Sequence, residues 1–193
     1  MFFKSKISPD ELSQKSDTEL YILLCGEKRI ARAAFSLLYD RHSARVYSYC
    51  RRILQNPATA EDIVQEVFAK LFEQSCAKAE MTNIAGFLIR VARNLCLNEK
   101  EKKYNQHISL EEFHLSSQAN EVERSELLKM IGAALETLPE AERESFSLKE
   151  FDGLNYTEIS KILNITEQNV RIRVFRGKQK LREILSPYLH DSR

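Results

Sequence analysis

Between Asn169 and Arg182 the chain carries six cations, Arg171, Arg173, Arg176, Lys178, Lys180 and Arg182. A helix of about 3.6 residues per turn divides them into two flanks. Asn169, Arg173, Arg176 and Lys180 share one side; Arg171, Lys178 and Arg182 share the other. Guanidinium and carboxamide groups hydrogen-bond the edges of bases, and cations meet phosphates, so this stretch offers recognition of a nucleic-acid duplex rather than bond-making. Ile172 and Phe175 point away from the apolar face, as expected of groups that meet thymine methyls or cover a neighbouring helix. A solvated basic face is the bland alternative, and it is a common one. The turn that precedes the helix weighs against it.

Other chemistries find little support. There is no Gly-rich phosphate loop, no nucleophile elbow, and no carboxylate or histidine pair with a supporting partner, so an enzyme is not expected. Cys25, Cys50, Cys76 and Cys96 form no C-x-x-C pair, which makes reduced, buried thiols the default. His42, His107, His114 and His190 lack the i,i+4 spacing of a ligand frame, so neither metal nor cofactor is implied. The longest apolar run, residues 21–25, falls far short of the ~20 residues of a membrane span, and no signal-peptide pattern opens the chain. A soluble, cytoplasmic protein is expected.

Two helices must position the cations. Asn155 with Glu158 makes a capping-box pattern, and Ile159, Ile162 and Leu163 supply the buried face of the first. Asn164 stands where the chain turns sharply, in a residue type that tolerates the left-handed conformation. Thr166 caps the second helix, and Val170, Val174, Gly177, Leu181, Ile184 and Leu185 form its inward face. The pattern is a helix-turn-helix with a basic second helix, suited to the major groove.

The remaining composition fits an all-α protein of two small helical domains joined by a flexible linker. The 193 residues include only five Gly and four Pro, and 43% are hydrophobic. A formal net charge of +1 hides an uneven distribution. Residues 31–103 hold 12 basic and 8 acidic groups, residues 104–168 hold 5 and 13, and residues 169–193 hold 7 and 2. Two basic segments thus flank an acidic one, as expected of a chain with two contacts to an anionic polymer.

Taken in order, residues 1–15 read as a loose arm, and Ser16 with Glu19 caps a short helix that Gly26 ends. Apolar spacing predicts one long helix over residues 28–54. Thr59 with Asp62 is the predicted cap of the next, with Ile63, Val64, Val67, Phe68, Leu71 and Phe72 inward and Glu61, Asp62, Gln65, Glu66 and Glu73 wet. Residues 74–83 read as a loop. The helix after them turns Ile84, Phe87, Leu88, Val91, Ala92 and Leu95 inward, opposite Arg90 and Arg93. Residues 104–120 have no period and read as the linker, with a short turn at 110–114. Helical spacing resumes over 121–138, and Pro139 opens a further helix before Gly153.

Three stretches, TAEDIVQEVFAKLFEQ, FLIRVARNLCLNEKEKK and LPEAERESFSLKEFDGLNYTEISKILNITEQNVRIRVFRGKQKLREIL, resemble bacterial RNA polymerase sigma factors of the extracytoplasmic-function (ECF) type, of the sigma-70 superfamily. The resemblance runs from about residue 17 to 185. It implies a region 2 type domain over 1–103, a linker over 104–120 and a region 4 type domain over 121–193. By the same resemblance Asp62, Gln65 and Glu66 bind the clamp helices of the polymerase's largest subunit. The loop 74–83, with Arg90, Arg93 and Asn94, would meet the −10 promoter element. Thr166, Gln168, Asn169, Arg171, Ile172, Arg173 and Arg176 would read the −35 element. The implied partners are core RNA polymerase and promoter DNA, with an anti-sigma protein as a further candidate. Four positions depart from the family pattern: Phe87 stands where Trp is frequent, Ala85 and Gly86 where Arg or Thr is frequent, and Asn164 where the turn usually has Gly. The rival reading is a self-sufficient helix-turn-helix regulator whose amino-terminal helices dimerise or sense a ligand.

Overall fold

In the computed structural model, residues 9–54, 56–77, 80–106 and 124–189 are described. Every regular element among them is an α-helix, and they fall into two compact units, residues 1–110 and 111–193. No helix among the described residues is long and apolar enough to cross a membrane.

Unit 1 holds α1 (Pro9–Ser13), α2 (Asp17–Leu23), α3 (Lys28–Leu54), α4 (Pro57–Cys76) and α5 (Ile84–Gln106). The long α3 packs against α2, α4 and α5, and α4 packs on α5. Their shared core contains Leu20, Leu24, Leu38, Tyr49, Phe68, Leu71, Ile84, Leu88 and Ile89, each sealed from solvent. Phe68 also meets the Phe35 and Tyr39 rings at 6.1 and 4.8 Å, and such pairs add modestly to burial itself.

Local signals account for most of the helix starts. The Ser16 hydroxyl accepts from Glu19 N at 3.3 Å, and Glu19 Oε2 accepts from Ser16 N at 2.8 Å, so the capping box forms. Four details differ from the sequence expectations. The segment expected as a loose arm contains α1, anchored by buried Leu12. α4 begins at Pro57 rather than after Thr59, because the Asn56 side chain accepts from Thr59 N at 3.1 Å and Pro57 fills the first turn, where its missing N–H costs nothing. It runs on to Cys76, into the expected loop, and Phe72 is 43% exposed rather than part of the inward stripe. α5 turns fully buried Ile89 and Cys96 inward, while Phe87, Val91 and Leu95 are half-buried.

α5 also continues to Gln106, into the stretch expected as linker. The turn expected at 110–114 lies outside the described residues.

The cysteines overturn the expectation of four buried thiols. Cys50 and Cys96 are buried and free, but Cys25 and Cys76 are exposed and joined by a disulfide, with Cα atoms 5.3 Å apart. Their separation of 51 residues hid a pairing that only the packing of the helices creates.

Unit 2 holds α6 (Arg124–Glu136), α7 (Glu140–Glu150), α8 (Tyr156–Leu163) and α9 (Glu167–Leu189). α9 is the element all others contact. Ala134 and Leu138 pack with Leu181, Phe146, Ile184 and Leu185 at one end. Leu148, Leu154, Ile159, Val170 and Val174 are buried toward the other. Gly153, at φ 56°, turns the chain from α7 toward α8 in a conformation that favours glycine.

A charge cluster fixes the amino-terminal connector to α3. Arg41 donates to Asp17 Oδ1 at 2.8 Å and to the carbonyls of Ser13 and Lys15 at 2.6 and 2.9 Å. His42 Nε2 lies 2.7 Å from Asp17 Oδ2. Burial alone would raise the Asp17 carboxyl, but hydrogen bonds and positive charge from Arg41 and His42 outweigh it and hold the pKa below the ordinary 3.8. A depressed carboxylate contributes stability that is complete above its unfolded value and lost as pH falls through its folded value. Asp17→Asn should therefore lower the melting temperature at pH 7 by about 2–4 °C. The gap between parent and variant should close as the pH falls below 3.8, read by circular dichroism melts across pH.

Candidate nucleic-acid interface

The α8–α9 pair is built by caps at both helix starts and a left-handed residue between them. Asn155 Oδ1 accepts from Glu158 N at 2.9 Å, and Glu158 Oε2 accepts from Asn155 N at 2.8 Å. Asn164 ends α8 at φ 53° and ψ 48°, with its N–H on the Ser160 carbonyl, to which Ile165 N also donates at 3.1 Å. Thr166 Oγ1 then accepts from Asn169 N at 3.2 Å, capping α9. Thr157 Oγ1 donates to Glu167 Oε1 at 2.6 Å, which ties the first turns of the two helices together.

α9 buries Val170, Val174, Gly177 and Leu181, and this leaves the cations on its flanks. Gln168, Asn169, Arg171, Ile172 and Arg176 are exposed, and Arg173 is half-buried. Phe175 is 67% exposed and Ile172 39%, so neither is consumed by the core.

The flanks differ in a way their sequence did not reveal. Arg171 Nη2 lies 3.7 Å from Glu167 Oε2, and its guanidinium stands over the Tyr156 ring at 4.3 Å. Lys178 Nζ lies 2.8 Å from Glu150 Oε1, on α7. Among the described residues, Arg173, Arg176 and Lys180 on the opposite flank have no carboxylate partner. The flank with Asn169 is therefore the one whose donors are uncommitted. The i,i+4 spacing of Glu167 and Arg171 was readable from sequence; the Glu150–Lys178 contact needed α7 placed beside α9.

Unit 1 carries two further faces. On α5, Arg90 and Asn94 are exposed one turn apart and Arg93 is half-buried; the Arg90 guanidinium lies 5.7 Å from the Phe87 ring centroid. α5 is capped by Asn83 Oδ1, which accepts from Gly86 N at 2.8 Å. A Cβ at Gly86 would come 2.6 Å from Asn83 Nδ2, so a larger residue there would displace this cap. That is a local reason for glycine at one of the positions that departs from the family pattern.

On α4, Asp62, Gln65 and Glu66 are all exposed, and Glu66 pairs with Lys70 at 3.4 Å. Glu61 and Gln65 line a groove of about 520 Å³ whose other wall is Tyr39, Ser43 and Tyr47 of α3. Sequence reasoning missed these three because it read α3 only for its apolar period; Tyr39, 37% exposed, is an aromatic at its wet edge.

Asn164→Val should cost about 1–2 kcal/mol, because a β-branched side chain is strained in the left-handed region. Asn164→Gly should not destabilise the turn. Urea unfolding of the two variants and the parent checks both.

Comparison with known proteins extends this geometry. Residues 38–105 match the model of Sigma-70 region 2, and residues 128–181 match that of Sigma-70, region 4. The chain is 30% identical to the ECF RNA polymerase sigma factor SigW of Bacillus subtilis over 166 residues, 79% of this chain and 89% of that one. It is also 30% identical over 169 residues to the ECF RNA polymerase sigma factor SigE of Mycolicibacterium smegmatis; that alignment takes in 84% of this chain but only 65% of the relative. Among solved structures, CnrH in complex with the cytosolic domain of CnrY is similar at a TM-score of 0.63 and 18% identity, over 89% of this chain and 99% of that one. The sigma factor RpoE bound to the anti-sigma factor NepR from Bartonella quintana is similar at 0.62 and 19%, over 79% and 96%. At these identities the structural likenesses speak for the fold.

Proposed function

Because the chain belongs to the RNA polymerase sigma factors of the ECF type, we propose that unit 1 docks on core polymerase and meets the −10 element while unit 2 reads the −35 element. A sigma factor directs RNA polymerase to promoters, and the family consists of non-enzymatic initiation factors. The domain assignment places the region 2 role in residues 1–103 and the region 4 role in 121–193, with 104–120 as the linker. Asp62, Gln65 and Glu66 are the docking residues. Arg90, Arg93 and Asn94 act at −10, where separated strands expose bases for stacking and hydrogen bonding. Thr166, Gln168, Asn169, Arg171, Ile172, Arg173 and Arg176 act at −35, where the duplex stays closed and a groove-reading helix suffices. An anti-sigma protein, of the kind solved with RpoE, is a further proposed partner.

The observation that supports the −35 reading best is the flank of α9 whose cations lack carboxylate partners among the described residues, beside exposed Ile172 and Phe175 on a capped helix-turn-helix. A helix built only to be solvated gains from pairing its cations along both flanks. Arg171 engages Glu167 and the Tyr156 ring, so its share in DNA contact is to phosphate at the groove wall, whereas Arg173 and Arg176 are available to bases.

Arg176→Ala should weaken binding of holoenzyme to a −35 duplex by about 1–3 kcal/mol at fixed salt. If Arg176 reads a base, the loss is confined to the cognate sequence; a loss shared by all sequences identifies a phosphate contact. Fluorescence anisotropy with equal affinities for parent and variant would remove the residue from the interface. Asp62→Arg with Glu66→Arg should reduce co-purification with core polymerase by about tenfold or more while helical circular dichroism is unchanged, since both side chains lie outside the core. Undiminished co-purification would place the docking face elsewhere.

A further inference from the structure

Unit 1 contains two cysteine pairs in opposite states. Cys96 and Cys50 are hydrogen-bonded thiols with no exposure to solvent. Cys25 and Cys76, by contrast, are both exposed and bonded to each other. They lie at the rim of a groove of about 620 Å³ that Lys28, Arg32 and Phe72 also line. Reactive cysteines occupy this kind of setting: partly exposed, and beside cations that favour the thiolate over the thiol. Ser75 Oγ, 3.6 Å from Cys25 Sγ, adds a polar neighbour. A disulfide open to solvent is also accessible to attack by an external thiolate.

Position gives the bond its consequence. Cys76 is the last residue of α4, so the bridge clamps the entry to residues 77–83 onto the turn between α2 and α3. The exit is fixed separately by the Asn83 cap on α5. Residues 74–83 are the stretch assigned to the −10 element, and the role of the bridge rests on that assignment. RNA polymerase works where thiols are kept reduced, and bridges in such compartments are as a rule transient and regulatory.

We propose that Cys25 and Cys76 form a reversible thiol–disulfide switch, oxidised by a peroxide and reset by a dithiol, whose closed form favours opening of the −10 element. In the forward direction one thiolate attacks an oxygen of hydrogen peroxide and breaks the O–O bond, yielding a sulfenic acid and a hydroxide that takes up a proton from solvent as the first water. The second thiolate displaces hydroxide from that sulfur, which leaves with a proton as a second water. Two electrons pass from the sulfurs to the peroxide. In reverse, an external dithiol attacks one sulfur, and its second thiol resolves the mixed disulfide. With the bridge closed, Cys76 at the entry and Asn83, through its own cap, at the exit are both held before DNA arrives, which favours capture of bases between them.

The test uses the full chain with core polymerase, on a promoter chosen by sequencing the transcripts that the holoenzyme starts. Each redox state is set first by peroxide or dithiothreitol, which is then removed. Permanganate reactivity of −10 thymines reads strand opening, and mass spectrometry after thiol alkylation reads the pair across glutathione buffers of varied ratio. The expected result is a pair that passes reversibly between dithiol and disulfide, with roughly fivefold more opening when closed. Cys25→Ser and Cys76→Ser should each remain at the reduced level after either pretreatment, with unchanged helical circular dichroism. A pair that never closes, that never opens, or that yields only single glutathione adducts overturns the switch. Equal opening in both states overturns it as well, while leaving the sigma-factor reading in place. Opening that survives Arg90→Ala with Arg93→Ala yet follows the redox state supports the switch and removes α5 from the −10 assignment. If neither state opens any duplex with core enzyme, the functional reading falls and the switch falls with it.

Discussion

The seam along α9, formed by Val170, Val174, Gly177 and Leu181, is the constraint on which unit 2 depends. A basic helix repels itself and dissolves readily; only a continuous apolar face holds it against neighbours. α6, α7 and α8 all pack on α9, so its rotation about its own axis is fixed from three sides. α7 comes close at Gly177, where a Cβ would lie 3.4 Å from Phe146 Cβ, at the edge of ordinary contact. Once the rotation is set, the directions of Asn169, Arg173 and Arg176 are set with it. Recognition of a groove requires that rotation to be fixed more than it requires any single cation.

How much was legible in the sequence follows the range of the interactions. Both capping boxes, the Asn164 turn and the Thr166 cap join residues within a few positions of one another, and each was readable as a local pattern. The apolar faces of α3, α4 and α9 were readable from period alone, because burial of a stripe is the main source of helix stability in a folded domain. The start of α4 was misread for an instructive reason. Thr59 with Asp62 and Asn56 with Thr59 are both capping patterns, and Pro57 decides between them.

What sequence could not supply was long-range pairing. The Cys25–Cys76 bridge, the Glu150–Lys178 contact and the Asp17–Arg41–His42 cluster each join separate parts of the fold, and nothing in local spacing points to any of them. His42 shows the cost of reasoning by type: a polar residue on an apolar stripe has an acid partner 25 positions away, which offsets the penalty of its burial. Phe72 shows the converse, an apolar residue in register with the stripe that nonetheless faces a groove.

The paired flank of α9 also bears on how a promoter is found. Affinity for phosphate grows with every uncompensated cation and carries no sequence information. A free helix with six such cations would bind any DNA, and genomic DNA would compete for it. Pairing Arg171 with Glu167 and Lys178 with Glu150 removes part of that indiscriminate attraction. These pairs are solvent-exposed and individually weak, so a groove wall can exchange them for phosphate at small cost once the helix is docked. Affinity is then recovered through linkage wherever two weak DNA contacts are presented at once, because each raises the effective concentration of the other. An acidic stretch between two basic ones serves the same end, lowering attraction to DNA in general without adding a carboxylate to the uncommitted flank of α9.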